Sequence, residues 1–424
     1  MSRKRPQTTA PIAYFTQMYP GLTQTFIYRE VLALRARQVP VATYSVWPPE
    51  TEDLPPEVRP LMDETFYIFP LKGLALLLSH LWVLVRHPLR YVATLFFVLT
   101  RPGTSLRNRW RSLLHFGYSA PVLRDMARRG VRHIHVHFAW SASSIALIAH
   151  RILGIPFSMT LHSNEIYFDR LLLKSKLDAA AFVVTISEFN RRLMEELWPE
   201  SGIADKVHVI HCGLDPDLFQ ASSAFDEVAE ADKVAADGAL EIVGVGQLAP
   251  RKGFHVLLEA CHLLSQREIP YRCHIFGEGP ERERLEALHA QYGLEDRVQM
   301  PGRIYQEDLR RHLARSDVFC LPCVQDKSGD LDGIPVVLME AMAMELATVS
   351  THVSGIPELI AHGQNGLLLA PEDAPALADA LQRLSDDPAE RRRLGQAGRE
   401  TVVQDYNIHR SAEQMAALFQ AAPN

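Results

Sequence analysis

The sequence is poor in the features that mark several large protein classes. It has only five cysteines in 424 residues. That is too few for a disulfide framework, and the odd number leaves one thiol over, so a reducing cytoplasm is expected. No apolar run reaches the roughly 20 residues that a bilayer span requires. No apolar stretch precedes Tyr14 in the basic start, so no secretory leader is expected, and residues 1–10 read as a loose tail. Positive charge is not in excess: the formal net charge is -6, which argues against a nucleic-acid binder. Internal repeats and low-complexity tracts are lacking too. Apolar residues at 47% and charged residues at 22% are ordinary for a globular protein and exclude a mainly disordered chain or a fibre.

What is present is unevenly placed. Between Leu71 and Arg132 stand eleven basic residues and one acid, Asp125, a balance of +10 that leaves -16 for the rest. The same window holds two apolar stretches, Leu74–Val85 and Tyr91–Thr100, separated by Arg86, His87, Pro88 and Arg90. Two short apolar helices with basic flanks suit an anionic membrane surface; two buried helices with solvated arginines are the equal alternative.

Elsewhere strand and helix patterns alternate, the signature of parallel α/β sheets. Expected strands are Ile12–Phe15, Val41–Ser45, Ile134–His137, Phe157–Leu161, Phe182–Thr185 and Val207–Ile210, then Ile242–Val245, Arg272–Phe276, Val298–Met300, Val318–Leu321, Ala347–Ser350 and Gly366–Leu369. A polar segment rich in Ala and Asp, Ala221–Ala239, divides the two series. The reading is two doubly wound domains, 11–220 and 221–405, facing across a cleft, with ligands at the carboxyl ends of the strands.

Four loops of the second domain carry candidate chemistry. Gly244-Val-Gly246-Gln247 leads through Arg251 and Lys252 to Gly253, between a strand and a helix. Glycines let the backbone approach a ligand, free N–H groups attract an anion, and two cations suit a diphosphate. Gly244, Gly246 and Ala249 also fit a short dinucleotide fingerprint, but no acid follows about 20 positions on for a ribose. Gly277 sits in a similar turn. Asp330, Asp332, Gly333, Ile334 and Pro335 precede an apolar helix containing Glu340, a carboxylate that needs a partner there. Gly355 opens another helix start. In the first domain His162 and Glu165 follow an apolar strand, where a histidine can exchange hydrogen bonds near neutral pH.

These clusters, in this order, resemble the family 4 glycosyltransferases, which have the two-domain GT-B fold. Tyr19-Pro20 followed by Thr25-Phe26-Ile27 is similar to the branch that builds bacterial exopolysaccharide, such as the colanic acid glycosyltransferases. Asp332 and Glu340 match the family's acid-x7-Glu motif, and Ser187–Asn190 and His211–Asp215 fit as well. The resemblance implies retaining hexosyl transfer from a nucleotide-sugar to a saccharide, without a cofactor or obligatory metal. It implies that Lys252 holds the diphosphate, Glu340 the ribose and Asp332 the sugar hydroxyls. His162 would touch the sugar, and Arg303 and Ile304 the base. Thr25, His137 and Glu165 fall on the acceptor side, and a last helix at about 406–420 crosses back to the first domain. Two positions depart from the family: Gln247 replaces an arginine, with Arg251 the substitute cation, and Asp332 replaces a glutamate, with Asp330 able to share its role.

Two other patterns carry less. Cys320 and Cys323 form a C-x-x-C without the second pair that zinc needs. His133, His135 and His137 share a strand face, but no carboxylate near them in sequence completes a metal set. The expected activity is transfer to a lipid-linked saccharide on the inner face of the cytoplasmic membrane. An epimerase on the same fold, or a non-catalytic nucleotide-sugar-binding subunit, are the alternatives.

Overall fold

Short apolar runs bounded by glycine and polar residues become the strands of two wholly parallel sheets, as a strand covered on both faces requires. The computed structural model describes residues 10–21, 24–50, 54, 58–101, 105–167, 171–199, 202–219 and 238–422. The loose tail, Leu22 and Thr23 of the early motif, and most of the expected linker at 221–239 lie outside them. The chain separates into two compact units. One comprises Met1–Ile186, Asn190–Ile210 and Ser411–Asn424; the other comprises Ser187–Phe189 and His211–Arg410.

The first unit contains β1 (Ile12–Met18), β2 (Val41–Trp47), β3 (Phe66–Tyr67), β4 (His133–His137), β5 (Phe157–Leu161), β6 (Val183–Thr185) and β7 (Val207–Val209). Their spatial order is β3-β2-β1-β4-β5-β6-β7. The second contains β8 (Leu240–Val245), β9 (Tyr271–Phe276), β10 (Val298–Gly302), β11 (Val318–Cys320), β12 (Ala347–Thr351) and β13 (Leu367–Leu369), in the order β10-β9-β8-β11-β12-β13. Both orders reverse direction beside the first strand, between β1 and β4 and between β8 and β11. Loops leaving the two central strands there diverge and leave a crevice, the usual ligand position in this architecture. The expected doubly wound α/β class is thus what the chain adopts.

The basic window folds as three helices. Gly73–Arg86 and Pro88–Thr100 meet at a bend of 115° across His87, and both pack on Leu106–Arg129. His80 ties them together: one ring nitrogen meets the Gly117 carbonyl at 2.6 Å, the other the Tyr91 hydroxyl at 3.0 Å. Their buried face is narrow. Only Ser79 and Val83 of the first helix and Thr94 and Val98 of the second are buried, while Leu74 is 72% exposed, Leu89 85% and Phe96 66%. The alternative of two buried helices therefore fails, because most of their leucines stand outside. Among the described residues no single helix is long and apolar enough to cross a membrane, although the bent pair passes that test together.

Candidate active site

In the second unit the crevice beside β8 is built by the loops that follow β8 and β11. The loop after β8 turns through Gly253, whose φ of 68° and position make it irreplaceable: a Cβ there would lie 1.8 Å from the Pro322 carbonyl oxygen. Gly277, after β9, has the same constraint against the Gly246 carbonyl. This close backbone contact presses the loop after β8 onto the segment 322–332. The Val324 N–H donates to the Arg251 carbonyl at 2.9 Å.

The result is a compact charge cluster. Lys252 Nζ lies 2.8 Å from Asp332 Oδ2 and Arg251 Nε 3.4 Å from Asp332 Oδ1. Arg251 Nη1 reaches Asp330 Oδ2 at 3.2 Å, and Nη2 donates to Gln247 Oε1 at 3.1 Å. Burial opposes ionisation of Asp332, but Lys252 and Arg251 outweigh it and hold the carboxyl below the usual range. For Asp330 burial prevails over Arg251, with Asp326 and Asp332 adding to it, and its carboxyl is pushed up. The structure thus brings Gln247, Arg251, Lys252, Asp330 and Asp332 together. Its second cation, Arg251, is already engaged by two acids and by the side chain of Gln247.

Around this cluster stand Gly246, half-buried behind the Lys252 side chain, and the buried Gly333, Ile334 and Pro335. Pro335 caps the helix Val336–Ala343. Asp332 precedes this cap by three residues and serves the cations instead. Glu340, fifth residue of the helix, is buried among Leu338, Met339, Ala341 and Met342. Gly355 is packed against Ile334 at the start of the helix Ile356–Leu359. Arg303 is exposed just past β10, and Ile304 packs half-buried on the core.

In the first unit β4 lays three imidazoles on one face. His133 and His135 share the Ser158 hydroxyl at 2.7 and 2.8 Å, and the other nitrogen of His135 meets Thr160 at 2.9 Å. Burial lowers both, His133 to about 4, with Arg132 adding to the effect at His133 and the neighbouring imidazoles at His135. His137 Nδ1 is 3.1 Å from His162 Nε2. Its Nε2 lies 3.3 Å from Glu30 Oε1, the oxygen that also accepts from the Tyr14 hydroxyl at 2.8 Å. Glu30 corrects the expectation that no carboxylate completes the histidine set: it comes from the helix Thr25–Ala36, over 100 positions from β4. Glu30, His135 and His137 offer ligand atoms within 4.8 Å of one another.

His162 is buried between Phe26 and Phe138, with ring centroids at 4.6 and 4.5 Å. Burial, then His137, hold its imidazole well below the usual range, so the ring is neutral at physiological pH. Asn190 donates to its carbonyl at 2.7 Å, which gives the motif 187–190 a supporting task. Glu165 accepts from the His162 and Ser163 backbone N–H groups at 2.6 and 3.3 Å. Its carboxylate therefore holds the loop in shape rather than pointing outward. Burial pushes its carboxyl up despite those bonds. Thr25, half-buried, opens the helix that carries Phe26 and Glu30. One support had no sequence signal: fully buried Lys176 donates to the Ala139 carbonyl at 2.7 Å and fixes the loop after β4.

A lone pair on His137 Nε2 would face the Glu30 oxygen, so we assign the proton to Nε2, which leaves Nδ1 to accept from His162 Nε2.

The chain matches known proteins in sequence and in fold. The model of Glycosyltransferase Family 4 matches residues 23–218, and that of Glycosyl transferases group 1 matches residues 226–401. WcaL of Escherichia coli K12, a glycosyltransferase assigned to colanic acid biosynthesis, is 43% identical over 183 residues, 43% of this chain and 45% of that protein. The amylovoran biosynthesis glycosyltransferase AmsK of Erwinia amylovora is 36% identical over 217 residues, 51% of each chain. The chain thus matches about half the length of these curated relatives. The crystal structure of Anabaena Alr3699/HepE with UDP and glucose superposes with a TM-score of 0.70 at 18% identity, covering 97% of this chain and 100% of that one.

Proposed function

The chain belongs to the family 4 glycosyltransferases of GT-B fold, and from that premise we propose that it moves a hexosyl group, with retention, from a nucleotide-sugar to a lipid-linked saccharide of an exopolysaccharide. The observation that carries this reading is the Lys252, Arg251 and Asp332 cluster at the switch point of the second sheet. Two cations on this loop suit a diphosphate, and carboxylates beside them suit sugar hydroxyls. The HepE structures with UDP and with UDP-glucose support a nucleotide-sugar donor. WcaL and AmsK support an exopolysaccharide product. In this assignment Lys252 and Arg251 hold the diphosphate, Glu340 the ribose, Asp332 and Asp330 the sugar hydroxyls, and His162 lies near the reacting carbon. Positioning and charge stabilisation then supply most of the rate. We assign no metal to the reaction; both ring nitrogens of His135 are engaged by Ser158 and Thr160.

The test is nucleotide release from a panel of UDP- and GDP-sugars, with and without a membrane extract. One donor should turn over, faster with extract. Glu340→Gln, which keeps shape and loses charge, should lower turnover by roughly ten- to a hundredfold while melting within a few degrees of the unaltered chain. Equal turnover in the folded variant would remove Glu340 from the site. Release by an unaltered chain from none of the donors would leave a binding subunit as the better reading.

The exposed leucines of the two short helices support a place on the cytoplasmic face of the inner membrane. Apolar side chains dipping into the headgroup boundary hold a protein there, and basic residues add a salt-sensitive part. Leu89→Asp with Phe96→Asp should weaken co-sedimentation with anionic vesicles at least about tenfold, since a buried apolar side chain contributes about 1.5–3 kcal/mol. Loss of binding on raising salt alone, with the double variant unchanged, would leave only the arginines in that role.

A further inference from the structure

The first unit holds a second basic site at the opposite end of its sheet from the candidate active site. A cavity of about 560 Å³ opens between the helices Pro88–Thr100, Ser141–Leu153 and Leu173–Ala179. Arg90, Arg101, His150 and Arg151 line it, together with Phe97 and one acid, Asp178. The helices Ser141–Leu153 and Leu173–Ala179 run antiparallel to the strands, so their ends lie at the amino-terminal edge of β5 and β6. His162 follows the other end of β5, about 16 Å away at 3.3 Å per strand residue. The cavity is therefore separate from the residues proposed for transfer.

Its side chains are arranged for an anion. The Arg151 guanidinium lies 4.0 Å from the Phe97 ring centre and that of Arg101 lies 5.3 Å from it. Phe97 thus orients two cations toward one place, as an aromatic face does for guanidinium groups. Arg90 Nη1 is held at the Ile152 carbonyl, 3.5 Å away, over the bare Cα of Gly154. His150 Nδ1 is satisfied by the Ile155 carbonyl at 3.0 Å. Arg151 Nε is buried and has no hydrogen-bond partner. The acid of the lining, Asp178, is itself engaged by Lys174 Nζ at 3.0 and 3.2 Å. Burial, then Arg101, pull the Arg151 guanidinium below its ordinary range, so the cluster is repulsive as it stands. Three guanidinium groups around a cavity recognise phosphate oxygens in pairs, in a way that lysines or water would not.

We propose that this cavity binds a phosphate-bearing anion, with Arg90, Arg101 and Arg151 as its ligands. The phosphate is either the headgroup of a membrane lipid or a free phosphorylated metabolite. The helix Pro88–Thr100 contributes Arg90 and Phe97 here and the exposed Leu89, Val92 and Phe96 to solvent, so occupancy also steadies the apolar face. The inference does not depend on the transfer reaction.

The experiment is calorimetric titration of the full chain with inorganic phosphate, with UDP saturating any nucleotide site. Saturable binding below roughly 10 mM is expected. Arg90→Gln with Arg151→Gln should weaken it at least about tenfold and should leave UDP affinity and melting temperature unchanged or raised, since the substitutions relieve repulsion. Vesicles of phosphatidylcholine containing phosphatidic acid, added in a competition arm, should displace phosphate if the source is a lipid. Lack of displacement, with phosphate still bound, assigns the site to a soluble anion. No saturable phosphate binding by the unaltered chain, or equal binding by the folded double variant, overturns the proposal.

Discussion

Asp332→Asn is expected to bind nucleoside diphosphate about tenfold more tightly than the unaltered chain, yet to melt at a lower temperature without it. The two effects have one cause. With no ligand, Asp332 neutralises Lys252 at 2.8 Å and shares Arg251. An arriving diphosphate must compete with that carboxylate for the same two cations. Removing the charge frees them, and one charge-assisted contact is worth about 1.5–3 kcal/mol. The ligand-free variant leaves buried Lys252 without its partner and half-buried Arg251 with Asp330. Breaking such a pair costs up to about 3–5 kcal/mol, less here because Asp330 remains. Since a ligand stabilises the state it binds, saturating UDP or GDP should narrow the difference in melting temperature. Lys252→Ala is the counterpart, expected to lose roughly one to two powers of ten in affinity. Calorimetry and thermal melts with and without nucleotide check both. Weaker binding by Asp332→Asn would show that Asp332 orients Lys252 rather than competes for it.

Glu30→Gln should lower turnover by about ten- to a hundredfold while leaving donor affinity alone, because donor groups lie in the other unit. The amide can place an N–H against His137 Nε2, 3.3 Å from the present carboxylate oxygen. His137 then carries its proton on Nδ1 and donates to His162 Nε2. His162 in turn shifts its proton from Nε2 to Nδ1. Nitrogen NMR of labelled histidine reads both tautomers directly, and kcat against donor KM separates the effect from binding. A His162 tautomer and kcat unchanged in folded Glu30→Gln would exclude the relay. Glu30 acts as a positioning residue through His137.

The two sites differ in how far the sequence discloses them. Strands such as Phe157–Leu161 were legible because a strand covered on both faces must be apolar throughout. The strand Phe66–Tyr67 was not, since two residues carry no period. The meeting of Lys252 with Asp332 follows from topology, because loops after β8 and β11 flank the point where strand order reverses. Glu30 escaped because its partners on β4 lie more than 100 positions away. A usable signal existed: three imidazoles facing one way from a buried strand need polar partners. Arg251 was expected to take the place of the cation absent at Gln247. What spacing could not reveal is that Asp330 and Asp332 already hold it. For the two apolar helices, composition left burial and exposure equal. The structure shows exposure: only Ser79, Val83, Thr94 and Val98 of the two helices are buried.

Phe419 has a consequence for how the protein is made. It sits on the last helix, Ile408–Ala421, in the first unit, with its ring 6.1 Å from Tyr14, 5.5 Å from His133 and 5.4 Å from His135. The second unit is thus inserted within the sequence of the first. During synthesis the ribosome releases β1 and β4 early, but the ring that seals their histidine face emerges only some 280 residues after His135. The inserted unit, continuous but for three residues, can fold meanwhile, whereas the first must wait with an unsealed face. A product truncated before the last helix would carry a finished second unit beside an unfinished first one, a state that quality-control proteases recognise by its exposed aromatic surface.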